Sequence, residues 1–159
     1  PVFGAVYKIS AVEEKPGEFV PRIKISENVE KITNPGRKKV YRIIDEEGRA
    51  IADMIAKADE VVDMSRPFRY VDPTKPWKNR YFENCRAIEL QKQIIRNGEL
   101  VYDMPTLDEI AAYVKRQLSE EIWEEEQRFE YPHLHYLDMT PDYYEMKMQL
   151  LNDLSMKEV

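Results

Sequence analysis

The densest concentration of charge able to hold an anion is the segment KISENVEKITNPGRKKVYR. It gathers Lys24, Lys31, Arg37, Lys38, Lys39 and Arg42 in a chain whose formal net charge is -6. Lysine meets a phosphate as a point charge and needs no fixed plane, so basic residues on a turn-stiffened loop beside a sheet can reach a phosphorylated ligand. A solvated basic loop paired with the acidic C-terminal stretch is the competing reading, and on charge alone the commoner arrangement.

His133 and His135 stand two apart, which would turn both rings to one side of an extended segment and let them chelate a metal. No cysteine or carboxylate pair at ligand spacing accompanies them, and Tyr131 and Tyr136 beside them favour packing, so no metal ligand is assigned. The one cysteine, Cys85, has no histidine near it in sequence and reads as a half-buried structural thiol rather than a nucleophile. Glu120, Glu121, Glu124, Glu125 and Glu126 read as a solvated helix face rather than an acid/base pair. The glycines Gly4, Gly17, Gly36, Gly48 and Gly98 are isolated from one another, so no phosphate-cradling loop or dinucleotide fingerprint is present. No catalytic residue is assigned.

The elements that must position these groups follow from periodicity. From residue 4 to about 55 the pattern has period two, as antiparallel strands with one wet face require. GAVYKISAV is the expected first strand, turned at Pro16-Gly17 into VPRIKIS, with Ile23 and Ile25 on one face. Pro35-Gly36 suits a type II turn before strand KKVYRIID, and Gly48 turns that strand into AIADMIA. Helix over 50–59 is the alternative there, since Ile51, Met54 and Ile55 also fit a helical stripe. Residues 60–86 are loop-rich; Pro67, Pro73 and Pro76 punctuate Phe68, Tyr70, Trp77, Tyr81 and Phe82, aromatics expected to pack over the sheet. Asn97-Gly98, between two apolar runs, predicts a type I′ hairpin. Thr106 and Glu109 form a capping box, after which Leu107, Ile110, Val114 and Leu118 make one helical stripe. EEIWEEEQRFE is expected to continue or restart the helix with Trp123 and Phe129 as inward anchors, and YPHLHYLDM to break it. Thr140 as N-cap and Pro141 at the first position open a last helix, on which Tyr144, Met148 and Leu151 share a face. The fold class is therefore α+β: an antiparallel β-sheet with hairpins in the first two-thirds, and α-helices packed at the C-terminal end.

A chain of 159 residues is enough for one hydrophobic core. No eighteen apolar residues run together, which excludes a helical membrane span, and the acidic balance argues against a general nucleic-acid binder. One cysteine and no charged-then-apolar opening point to the cytoplasm. Pro1 in place of methionine, with a strand-like run by Gly4, reads as a chain cut from something longer; removal of methionine before proline is the alternative.

FGAVYKISAV, KISENVEKITNPGRKKVYRI, NGELVYDMPTLDEI and the tryptophan-bearing acidic stretch, in that order along nearly the whole chain, closely resemble the C-terminal region of bacterial nicotinate phosphoribosyltransferases. K-I-S, E-K-I-T and P-G within residues 24–36 are the most specific part. The resemblance implies that residues 1–13 end a barrel-linked strand region and that residues 14–159 form the C-terminal domain. It also implies a parent enzyme making nicotinate mononucleotide from nicotinate and phosphoribosyl pyrophosphate, with ATP and magnesium, in NAD salvage. In that family the nicotinate pocket, the phosphate-binding glycines and the phosphorylated histidine lie in the preceding domain and barrel. This chain would then bind no cofactor itself, buttress the barrel domain and shape the interface of a homodimer. By correspondence with related nicotinamide-using enzymes, Lys24 and Lys31 are implied to bind substrate phosphate, Lys24 keeping the spacing more closely. Ser26, Thr33 and Arg42 match the family pattern as loop-supporting residues. A stand-alone ligand-binding or interaction module that kept the fold is the alternative, and an independently active transferase a third.

Overall fold

The computed structural model describes residues 4, 7–27 and 31–156. β1 (Ala11–Lys15) and β2 (Glu18–Pro21) form the first hairpin around Gly17, whose φ of 82° is one that a side chain would resist. The hairpin is shorter than expected. Residues 7–10 and 22–26 are not in strands, so Ile23 and Ile25 do not line a sheet face, and the part of the expected first strand at Ala5 and Val6 lies outside the described residues.

β3 (Lys38–Ile44) and β4 (Ala50–Lys57) form the antiparallel centre, turned at Gly48, and the helical alternative for 50–59 is excluded. Every second residue of β4 points to the same side. Ala52 and Met54 join Ile43 and Phe82 in one buried cluster, while Ile55 faces the other way and joins Met139 and Tyr143. β4 is thus covered on both faces, which is why its sequence shows an apolar run rather than clean alternation.

β5 (Phe68–Tyr70) and β6 (Arg80–Phe82) pair within the loop-rich stretch and lay aromatic rings on the first face. Tyr70 stacks on Phe82 at 3.9 Å between ring centroids. Phe68 joins them, but Trp77 and Tyr81 stay exposed. β7 (Arg86–Glu89) then adds to β3, and β8 (Ile95–Arg96) with β9 (Glu99–Leu100) makes the expected tight hairpin. Asn97 and Gly98 take φ of 51° and 84°, as a type I′ turn requires.

α1 (Leu107–Arg116) carries the predicted capping box, and continues into a π-helical turn over Gln117–Glu121 before the backbone extends at Ile122. Its stripe does not pack inward: no residue of α1 is buried. After a 3₁₀ turn over Glu124–Gln127, the anchors also differ from expectation, Phe129 being fully exposed and Trp123 sitting beneath the Arg49 guanidinium. β10 (Leu137–Met139) was not expected; it pairs parallel with β4, giving the order β10-β4-β3-β7. α2 (Pro141–Ser155), capped by Thr140, packs on the second face through Tyr143, with Tyr144 and Met146 half-buried around it. Among the described residues no helix is long and apolar enough to cross a membrane.

Candidate functional site

The loop between β2 and β3 carries the candidate lysines, and its base is a three-way junction. The Ser10 carbonyl accepts from the Arg22 N–H at 2.8 Å and from the Gly36 N–H at 2.6 Å. Within the loop the Thr33 N–H reaches the Lys24 carbonyl at 3.4 Å, and the Lys8 ammonium donates to the Lys31 carbonyl at 2.9 Å. Lys24 and Lys31 therefore project from one loop with both side chains exposed. Ser26 is half-buried. Thr33 is buried, and its hydroxyl has no hydrogen-bond partner among the described residues.

α2 grips the exit of this loop. Tyr143, Met146 and Lys147 lie on one helix face by their i, i+3, i+4 spacing. The Tyr143 hydroxyl donates to the buried Pro35 carbonyl at 2.6 Å, and burial pushes its pKa well above the usual phenol range. Lys147 donates to Asn34 Oδ1 at 2.7 Å. The turn needs glycine for its φ of 80°, and a Cβ there would also stand 3.3 Å from Met146 Cε, which would have to shift by a few tenths of an ångström. The loop is thereby aimed by a helix more than a hundred residues later in the chain.

Arg42 lies elsewhere. It sits on β3 directly opposite Asp53, donating Nε to Oδ1 at 3.0 Å and Nη2 to Oδ2 at 3.2 Å. His135 Nε2 lies 3.4 Å from Asp53 Oδ1, outside regular hydrogen-bond geometry, while Nδ1 lies 3.1 Å from Glu126 Oε2. Arg42, Asp53, His135 and Glu126 thus alternate in sign across four segments. Asp53, then Glu126, holds the imidazole pKa above its ordinary value against the opposing effect of burial. Burial alone would raise Asp53, but His135 and Arg42 outweigh it and hold the carboxyl below the usual range.

The two histidines do not converge. His133 meets the edge of Tyr136 at 5.6 Å, and among the described residues no group of three His, Cys, Asp or Glu side chains could hold a metal ion. Cys85 is half-buried, its thiol donating to the Glu83 carbonyl at 3.0 Å and pushed upward in pKa by burial, as a structural cysteine would be. The acidic run is not wholly a solvated face: Glu126 binds His135 and Glu121 binds Arg116 at 2.7 Å. Among the described residues, no ion pair joins the basic segment directly to that run. Lys39 bonds Glu89 at 3.3 Å and Arg37 covers the Phe19 ring.

Beside the loop exit, Ile32 and Asn34 form one wall of an open cleft of about 850 Å³, closed on other sides by residues 72–75 and 131–139. Its charge is mixed, Lys75, Arg128 and Lys147 against Asp72, Glu125 and Asp138. Burial, with Asp72 nearby, pushes Asp138 up to about 6. Asp72 is held low despite burial, because the Thr74 hydroxyl and N–H donate to its Oδ1 at 2.6 and 2.8 Å.

Comparison with known proteins places this arrangement. A family described as the nicotinate phosphoribosyltransferase C-terminal domain matches residues 37–147. The chain belongs to that family. A nicotinate phosphoribosyltransferase of Bacillus subtilis (strain 168) is 39% identical over 155 residues, covering 97% of this chain and 31% of the relative. One of Caenorhabditis elegans is 31% identical over 144 residues, covering 89% of this chain and 23% of the relative. The crystal structure of human nicotinic acid phosphoribosyltransferase superposes with a TM-score of 0.67 at 22% identity, over 76% of this chain and 23% of that one, a likeness of fold. The chain spans less than a third of the length of these relatives. The family match takes in Arg42, Asp53, His135 and the α2 grip, and begins after Thr33.

Sequence reasoning missed Asp53, Glu126 and Tyr143. For Asp53 the turn alone misleads: counting outward from Gly48 sets Ala52 opposite Arg42, and an irregularity between Ile43 and Ile44 shifts the register by one so that Asp53 takes that place. For Tyr143 no signal existed, since its partner Pro35 is 108 residues away.

Proposed function

We propose that this chain is the C-terminal domain of a nicotinate phosphoribosyltransferase that joins nicotinate to phosphoribosyl pyrophosphate with ATP hydrolysis, yielding nicotinate mononucleotide for NAD salvage in the cytoplasm. The observation that carries this reading is 39% identity along nearly the whole chain to a protein of that name some three times longer. In this reading ATP and magnesium belong to the preceding part of the protein, and the barrel domain there supplies the reacting groups. The domain's contribution is support: its internal charges neutralise one another across β3, β4 and the segment before β10, and α2 fixes the β2–β3 loop.

Lys24 and Lys31 are the residues proposed to reach a substrate phosphate, at the interface of a homodimer. Their exposure on a braced loop suits that role, because a backbone already held leaves only the lysine side chains to be ordered when an ammonium meets a phosphate. The full-length protein is expected to form nicotinate mononucleotide from nicotinate, phosphoribosyl pyrophosphate and ATP. In the same assay Lys24→Ala should raise KM for phosphoribosyl pyrophosphate roughly tenfold, the loss of about 1.4 kcal/mol, with kcat little changed. Absence of product removes the functional reading; an unchanged KM removes Lys24 from it.

A further inference from the structure

α1 presents an apolar face that the described residues leave about half open. Leu107 is 84% exposed, Ile110 44%, Tyr113 49%, Val114 45% and Leu118 47%, all on one stripe of the helix. The chain leading into it continues the pattern, with Leu100 64% and Met104 67% exposed. A helix of ten residues is shorter than the roughly 12–15 at which an isolated helix is even marginal in water, and its capping box contributes only about 1 kcal/mol. Among the described residues, side-chain bonds hold the turn that follows it: the Gln127 side chain donates to the carbonyls of Leu118 and Ile122 at 2.7 and 3.1 Å, and Arg49 reaches Ile122 at 3.5 Å. Such a helix requires a partner on its apolar side.

Chain length indicates which partner. The family match at residues 37–147 includes α1, yet the aligned stretch makes up only 31% of the Bacillus subtilis relative, leaving more than two-thirds of that protein outside it. Three turns of helix offer well under the ~800 Å² per partner that a stable contact between separate molecules needs. A segment already tethered to the domain faces no such threshold, because its effective concentration reaches about the millimolar range.

We propose that the apolar face of α1 is the surface on which this domain docks against the remainder of the same polypeptide, rather than against a second copy. The proposal rests on the reading of the chain as a domain of a longer enzyme. The test places the photo-crosslinker p-benzoylphenylalanine at Ile110, and separately at Ala112 on the opposite side of the helix, in the full-length protein. Irradiation of the Ile110 variant should give a product of single-chain mass, its cross-linked peptide lying outside these 159 residues, in at least tenfold excess over the Ala112 variant. A product of two-chain mass, or equal yields from both positions, would overturn the proposal while leaving transferase activity, assayed on the same samples, to judge the domain reading separately.

Discussion

Tyr143 joins α2 to the Pro35-Gly36 turn through one hydrogen bond to a carbonyl that water does not reach. Removing the hydroxyl leaves that acceptor unpaired, which costs about 1–3 kcal/mol. Tyr143→Phe should therefore lower the unfolding free energy by that amount in urea titration, and a neutral result would show that the turn holds without α2. Asp138 is the opposite case, a residue whose removal should help. Its carboxyl titrates near 6 in the fold against 3.8 when exposed, so the native state binds the proton more tightly; the benefit is complete at low pH and is lost as pH rises through about 6. Asp138→Asn should then stabilise the protein by about 1–3 kcal/mol at pH 8 and leave it nearly unchanged at pH 4. A gain of equal size at both pH values would contradict the assignment.

Between elements, the chain Arg42–Asp53–His135–Glu126 links β3, β4, the lead into β10 and the 3₁₀ turn. His135 holds its proton more firmly in the fold than in the unfolded chain, so its contribution is full below about pH 6.5 and fades as pH rises through the higher folded value. His135→Gln should cost more stability at pH 6 than at pH 9, read by thermal melting; equal costs would mean that the ring acts by packing alone. Much of what surrounds this network was legible in the sequence. Asn97-Gly98, the Thr106–Glu109 box and the Thr140-Pro141 start each act within a few residues, where local chemistry decides the backbone. What failed depended on distant partners. β10 has three residues, too few for a period, and exists because β4 offers it an edge. The α1 stripe has the pattern of a packed helix, and a pattern states that a face is apolar without stating what covers it. Of the candidate site residues, Lys24, Ser26, Lys31 and Thr33 share a loop, whereas Arg42, which the family resemblance named as loop-supporting, is on β3 across from Asp53.

At the scale of the whole molecule, a mixed sheet is covered by aromatics on one face and α2 on the other, while α1 stands with its apolar side open. Two small cores, a braced basic loop and, among the described residues, an open apolar helix face are consistent with the supporting role proposed above. In the proposed function the reacting groups lie outside this chain. That placement is tested most directly by incubating the 159-residue chain and the full-length protein, in parallel, with labelled nicotinate, phosphoribosyl pyrophosphate, ATP and magnesium, and measuring nicotinate mononucleotide. Product is expected from the full-length protein alone; product from the 159-residue chain, or none from either, would overturn that placement.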